Sequence, residues 1–132
     1  MKALFILTAI AMISLSACNG SGKLEGKWLY AGGVYNGKKE GGTEGYQLQR
    51  TYTDKKFEAV MIEDGGEPQK YQAGDYKIDG NTCTETETFS TQPSKLTNVP
   101  VHYNYQIKND TLILEGKLPT GMQVEEHWTK MK

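Results

Sequence analysis

The sequence predicts an all-β fold, an eight-stranded antiparallel up-and-down barrel. Three observations point there. After residue 23 no segment sustains the apolar period of a helix. β-branched and aromatic residues are dense and alternate with polar ones, as half-buried strands require. Turn-forming pairs recur about every eight to twelve residues.

The strands are expected near residues 24–31, 43–53, 56–63, 68–78, 82–90, 100–108, 111–117 and 122–131. Asp54-Lys55, Gly65-Gly66, Gly80-Asn81, Asn109-Asp110 and Pro119-Thr120-Gly121 mark joins between them. Residues 32–42, rich in glycine, and the polar residues 92–98 read as the two long loops. In the first strand Leu24, Gly26, Trp28 and Tyr30 share a face, with Glu25 and Lys27 opposite. In the second, Tyr46, Leu48, Arg50 and Tyr52 oppose Gln47, Gln49, Thr51 and Thr53. Val101, Tyr103, Tyr105 and Ile107 form the apolar set of the sixth, Leu112 and Leu114 that of the seventh. Val124, Glu126 and Trp128 share a face in the eighth. These sets point inward, which leaves His102 and His127 outside.

Such a series builds a sandwich or a closed barrel. Closure removes exposed edges, and eight strands leave room for one small ligand. A membrane-spanning barrel needs an apolar outer band, whereas these strands carry Lys, Glu and Gln opposite their aromatics.

The N-terminus is a separate element. Met1-Lys2 is a short basic start, and residues 3–15 are apolar except for Thr8 and Ser14. This reads as a signal peptide, too short for a membrane span. Leu15-Ser16-Ala17-Cys18 resembles the lipobox of bacterial lipoproteins, which implies cleavage before Cys18 and lipid on its thiol. The competing reading is an ordinary secretory signal with Cys18 incidental. The expected organisation is a leader at 1–17, a lipidated cysteine and tether at 18–23, and a barrel at 24–132. The lipid implies a membrane anchor, by default on the outer membrane and facing the periplasm.

The chain has 132 residues and a formal net charge of −1. It has no basic stripe and a single arginine, Arg50, so nucleic acid is not an expected partner. With Cys18 lipidated, Cys83 has no disulfide partner. No Cys-x-x-Cys or His-x-x-x-His spacing suggests a metal, and no cofactor motif is present. Nothing signals an oligomer, so a monomer is the default.

Gly26-Lys27-Trp28 resembles the Gly-x-Trp signature of lipocalins and their relatives. The resemblance implies that Trp28 crosses the barrel base against a basic residue near the end of the last strand. Trp128-Thr129-Lys130 offers Lys130 for that role. Residues 73–85 and Glu125-Glu126-His127-Trp128 resemble patterns in small lipocalin-like domains of bacterial lipoproteins. The implied base is Gly26, Trp28, Trp128 and Lys130. The resemblance implies a fold more than a function.

Charge inside the barrel is the remaining feature. If Cys83 and Phe89 face inward, so do Glu85 and Glu87. Arg50 and Glu126 would join them among Tyr46, Tyr52, Tyr103 and Tyr105. Unpaired charge in a dry core costs several kcal/mol. Three readings remain: a wet ligand-holding lumen built from these eight residues, a brace in which Arg50 pairs with one Glu, or glutamates that face solvent.

Three functions follow: a binding module for a small amphipathic or ring-bearing ligand, an envelope protein-interaction module that recognises through its loops, or a cryptic hydrolase. Carboxylates at alternate strand positions lie about 6.5–7 Å apart, a spacing that glycoside hydrolysis can use. No Gly-x-Ser-x-Gly or supported Cys–His pair exists, so enzyme activity is not expected.

Overall fold

A computed structural model describes residues 24–132. The leader, Cys18 and the tether lie outside the described residues. The strands are β1 (Gly26–Tyr35), β2 (Lys38–Glu40), β3 (Tyr46–Tyr52), β4 (Lys56–Glu63), β5 (Gln69–Asp79), β6 (Thr82–Ser90), β7 (Pro100–Lys108), β8 (Thr111–Lys117) and β9 (Gln123–Lys130). β1 pairs with β3, each strand from β3 to β9 pairs with the next, and β9 returns to β1. Eight strands thus close an antiparallel barrel, and β2 hangs on β1 as a ninth.

That ninth strand corrects the expected loop at 32–42. β1 runs on to Tyr35, turns at Asn36-Gly37 and pairs Tyr35 with Lys38. Both turn residues have positive φ, 49° and 82°. Asn-Gly suits a two-residue hairpin because both residues adopt this region readily. The second expected strand shortens in compensation, beginning at Tyr46.

The two ends of the barrel differ. Tight turns at 53–55, 80–81 and 109–110 gather at the end where β1 begins, and backbone bonds tie them to neighbouring strands. Tyr105 N donates to Asn81 O, Lys130 N to Asp110 O and Tyr76 N to Lys55 O. The longer connections, residues 41–45, 64–68, 91–99 and 118–122, ring the opposite end. The first is therefore the base and the second the mouth.

The base is packed. Leu24, Trp28, Tyr52, Phe57, Tyr76, Cys83, Leu112 and Leu114 are buried there. Burying each large apolar side chain contributes roughly 1.5–3 kcal/mol. Trp28 donates from Nε1 to Leu24 O at 2.8 Å, which pins the entering chain across the floor. Lys130 Nζ lies 5.5 Å from the centre of the Trp28 ring. Trp128 belongs to the same buried cluster. Lys130 pairs with Trp28, but Trp128 pairs with Tyr30, one inward layer higher.

Three bulges break the alternation, all on the mouth side of their strands. Register shifts fall at Ala31 in β1, Tyr71 in β5 and Thr88 in β6. Each adds a residue and reverses which positions face inward beyond it. The β1 bulge turns Tyr35 inward, opposite Val124. The β6 bulge turns Phe89 outward, opposite Ala73, and Phe89 is 40% exposed. This overturns the expected inward Phe89, although Cys83, Glu85 and Glu87 do face in. Gly74 stands opposite the β6 bulge. A Cβ there would meet Thr86 O at 2.1 Å and the Phe57 ring at 2.9 Å, so no larger residue fits.

Candidate functional site

Midway up the barrel a charged layer separates the packed base from the mouth. β3 presents Arg50 inward, and β6 presents Glu85. Arg50 Nη2 and Glu85 Oε1 form an ion pair, both side chains about 5% exposed. Arg50 Nε donates to Tyr52 Oη at 2.8 Å, and Tyr52 donates in turn to Glu85 Oε2. The guanidinium lies 4.4 Å from the centre of the Phe57 ring and 5.7 Å from that of Trp128. Burial opposes the charge on Arg50, but the Glu85 carboxylate outweighs it and the group stays protonated. Burial likewise pushes the Tyr52 hydroxyl and the Cys83 thiol upward, keeping both neutral. Of the three readings for Glu85, the geometry here is that of a brace.

The brace extends toward the mouth. Arg50 Nη1 approaches Gln72 Oε1 at 3.4 Å, and Gln72 Nε2 donates to Glu87 Oε2 at 2.7 Å. Thr97 Oγ1 donates to Glu87 Oε1 at 2.9 Å, and Asn98 N to its backbone carbonyl. Glu87 therefore ties down the 91–99 loop.

Above this layer lies a cavity of about 550 Å³. Arg50, Gln72 and Trp128 lie on its inner side, and Tyr30, Tyr35, Tyr46, Tyr71 and Tyr103 supply aromatic wall. Gly41, Gly42, Glu44, Leu96 and Leu118 belong to the loops at the rim, and Glu40 ends β2 beside them. The Tyr30 and Tyr35 hydroxyls are 2.5 Å apart, and Tyr35 also bonds the half-buried Glu126 carboxyl. An ionised carboxylate only accepts, so toward an ionised Glu126 Tyr35 is the donor. Burial pushes the Glu126 carboxyl above its ordinary range, Arg50 pulls it down and Glu85 pushes it up. Burial also raises the Tyr35 and Tyr103 hydroxyls, so both are neutral donors.

The structure divides the eight candidates. Arg50, Tyr46, Tyr103 and Glu126 line the cavity. Tyr52 and Glu85 lie buried in the brace beneath it. Glu87 is engaged by Gln72 and Thr97. Tyr105 packs against the core, because its partner is Leu114 in the lower barrel. Sequence reasoning missed Tyr35, Tyr71 and Gln72 as wall residues. Asn36-Gly37 was the signal for Tyr35, since a hairpin there extends β1 by four residues. Tyr71 sits at a bulge that alternation alone cannot reveal.

The outward positions carry Lys27, Gln49, Glu58, Lys77, Thr84 and His102, along with Val60, Ile62 and Ala73. His102 Nδ1 bonds Thr84 Oγ1 at 2.9 Å, and His127 pairs with Glu125 at 3.0 Å, both outside the barrel. Among the described residues no three His, Cys, Asp or Glu side chains converge to hold a metal.

No family model matches the chain, and no curated protein matches it. Its structure is similar to that of an uncharacterized protein from Bacteroides eggerthii. The TM-score is 0.61 at 13% identity, over 82% of this chain and 99% of that one. That likeness bears on the barrel fold alone. A de novo designed fluorescence-activating β-barrel is also similar, with a TM-score of 0.49 at 12% identity over 85% and 97% of the two chains.

Proposed function

We propose that the protein is a lipid-anchored, lipocalin-like lipoprotein of the bacterial envelope that holds a small amphipathic or ring-bearing molecule in the mouth of its barrel. The observation that carries this is the cavity of about 550 Å³ above the Arg50–Glu85 layer, within the size range of small-molecule sites. An interaction module with a solid lumen would have no need of that space. Binding is favoured over catalysis because the paired carboxylates of β6 are both engaged, Glu85 by Arg50 and Tyr52, Glu87 by Gln72 and Thr97.

Lipid on Cys18 gives this reading a direction. Leu24 enters at the base, six residues after Cys18, a reach of about 20 Å at most when extended. The base would then face the membrane and the mouth would open away from it, toward the periplasm on an outer membrane. Mass spectrometry of protein purified gently from its source should find a co-purifying small molecule, lost on denaturation. A ligand-free protein that also ignores a broad set of small amphipathic probes would sink the binding reading. Cys18→Ser should move the protein from the membrane to the soluble fraction, and unchanged membrane association would remove the anchor.

A further inference from the structure

The cavity is not electrically neutral. Among the described residues Arg50 is the only basic side chain on its wall, and its charge is matched by Glu85 directly beneath. Glu126 faces the same space, and no Lys, Arg or His lies within ion-pair distance of it among the described residues. Glu40 and Glu44 add two carboxylates at the rim. A negative potential over a concave, low-dielectric wall repels anions and concentrates cations. The hydrogen-bonded run from Tyr30 through Tyr35 holds the Glu126 carboxylate in place before any ligand arrives. The wall is rich in aromatic rings, whose faces attract an ammonium group.

On the reading that this cavity is a binding site, we propose that it selects an organic cation. The ligand class is an amine or quaternary ammonium compound with a ring or short alkyl body. Its charge pairs with Glu126, and its body lies against Tyr30, Tyr71 and Trp128. Arg50 supports the floor and does not hold the ligand's charge.

The test uses three fluorescent probes that share a dansyl ring and its sulfonyl oxygens and differ in tail charge. Dansylcadaverine is cationic, N-pentyl dansylamide is neutral and dansyl-6-aminocaproic acid is anionic. Titrated into the purified full chain, the cationic probe should bind at least about tenfold more tightly than the neutral one, and the anionic probe most weakly. Glu126→Gln, nearly isosteric and at a half-buried position, should bring the cationic probe down to the neutral probe's affinity. Glu115→Gln on the outer face should change nothing. Equal or tighter binding of the neutral or anionic probe would overturn the cation preference and leave the binding site standing. A preference that survives Glu126→Gln would overturn the assignment to Glu126. Binding by none of the three would remove the site and the preference together.

Discussion

At the closed end of this barrel, Trp28, Tyr52, Phe57, Tyr76 and Leu112 fill the lumen to the wall. At the open end, Tyr30, Tyr35, Tyr46, Tyr71 and Glu126 occupy inward or bulged positions of the same sheet and leave about 550 Å³ between them. Composition does not separate the two halves, since tyrosines and a glutamate serve in both. Regularity does. The ladders below Arg50 keep strict alternation, while the bulges at Ala31, Tyr71 and Thr88 lie on the mouth side. Bulges bend and twist strands, and here they accompany an opening. The carboxylates divide the same way: Glu85 is paired with Arg50, and Glu126 has tyrosines but no cation within ion-pair distance.

The largest expected effect breaks the lower half of this comparison. Glu85→Ala leaves Arg50 buried without its counter-charge, which costs about 3–5 kcal/mol. For a domain of this size that lowers Tm by roughly 12–20 °C. Thermal melting followed by circular dichroism would measure it. Arg50→Met combined with Glu85→Leu removes both charges and should recover most of the loss, because well-packed apolar replacements of buried pairs are often neutral or stabilising. A small effect of Glu85→Ala would mean that the lower half is wet and the brace ornamental.

Gly74→Ala comes next. The new methyl would meet the Thr86 carbonyl and the Phe57 ring, and Phe57 carries the Arg50 guanidinium on its face. Overpacking of this kind costs roughly 1–3 kcal/mol. Gly41→Ala at the rim is the matched control: nothing lies within 4 Å of its added methyl, and stability should hold within about 0.5 kcal/mol. Urea unfolding of the two variants side by side tests whether constraint is concentrated below the mouth.

The same division explains what the sequence made legible. Trp28, Arg50, Tyr52, Leu112 and Leu114 lie on regular strands, so counting by twos assigned their inward faces. Glu85 was placed inward by its spacing from Cys83, and that stretch of β6 precedes the bulge. Phe89 was misplaced because Thr88 intervenes as an extra residue, and a bulge leaves no period to count. Tyr35 was lost in an apparent loop because five glycines masked a two-residue hairpin. That Arg50 would choose Glu85 over Glu126 was not legible either. Both share its face by alternation, and the choice depends on shear between strands, which one strand's pattern does not contain.

Tyr35→Phe probes the upper half with a smaller expected effect, about 0.5–1.5 kcal/mol for one half-buried hydrogen bond. Tyr30 and Glu126 both lose a partner. The Tyr35 hydrogen bond favours the ionised carboxylate, so its removal should raise the Glu126 pKa further. A carbon-13 NMR titration of the side-chain carboxyl reads that shift directly. An unchanged titration would mean that Tyr35 does not hold Glu126.

The smallest effect is the most diagnostic of the open half. Burial raises the Glu126 carboxyl above the reference value of 4.5, with Arg50 pulling it down, Glu85 pushing it up and the Tyr35 hydroxyl lowering it. The native protein therefore keeps this proton at pH values where the unfolded chain has released it. By linkage the stability from that proton is fully present below about pH 4.5 and is lost as pH rises through the folded value. Glu126→Gln has no such proton to lose. Relative to wild type its Tm should gain as pH is raised from 4 to 7. A bound ammonium compound favours the ionised carboxylate and should flatten the wild-type slope by restoring stability at neutral pH, with no matching gain in the Gln variant. Glu126→Gln parallel to wild type at every pH would mean that the carboxylate is already as well solvated as in the unfolded chain, and the contrast with Glu85 would then be one of pairing alone.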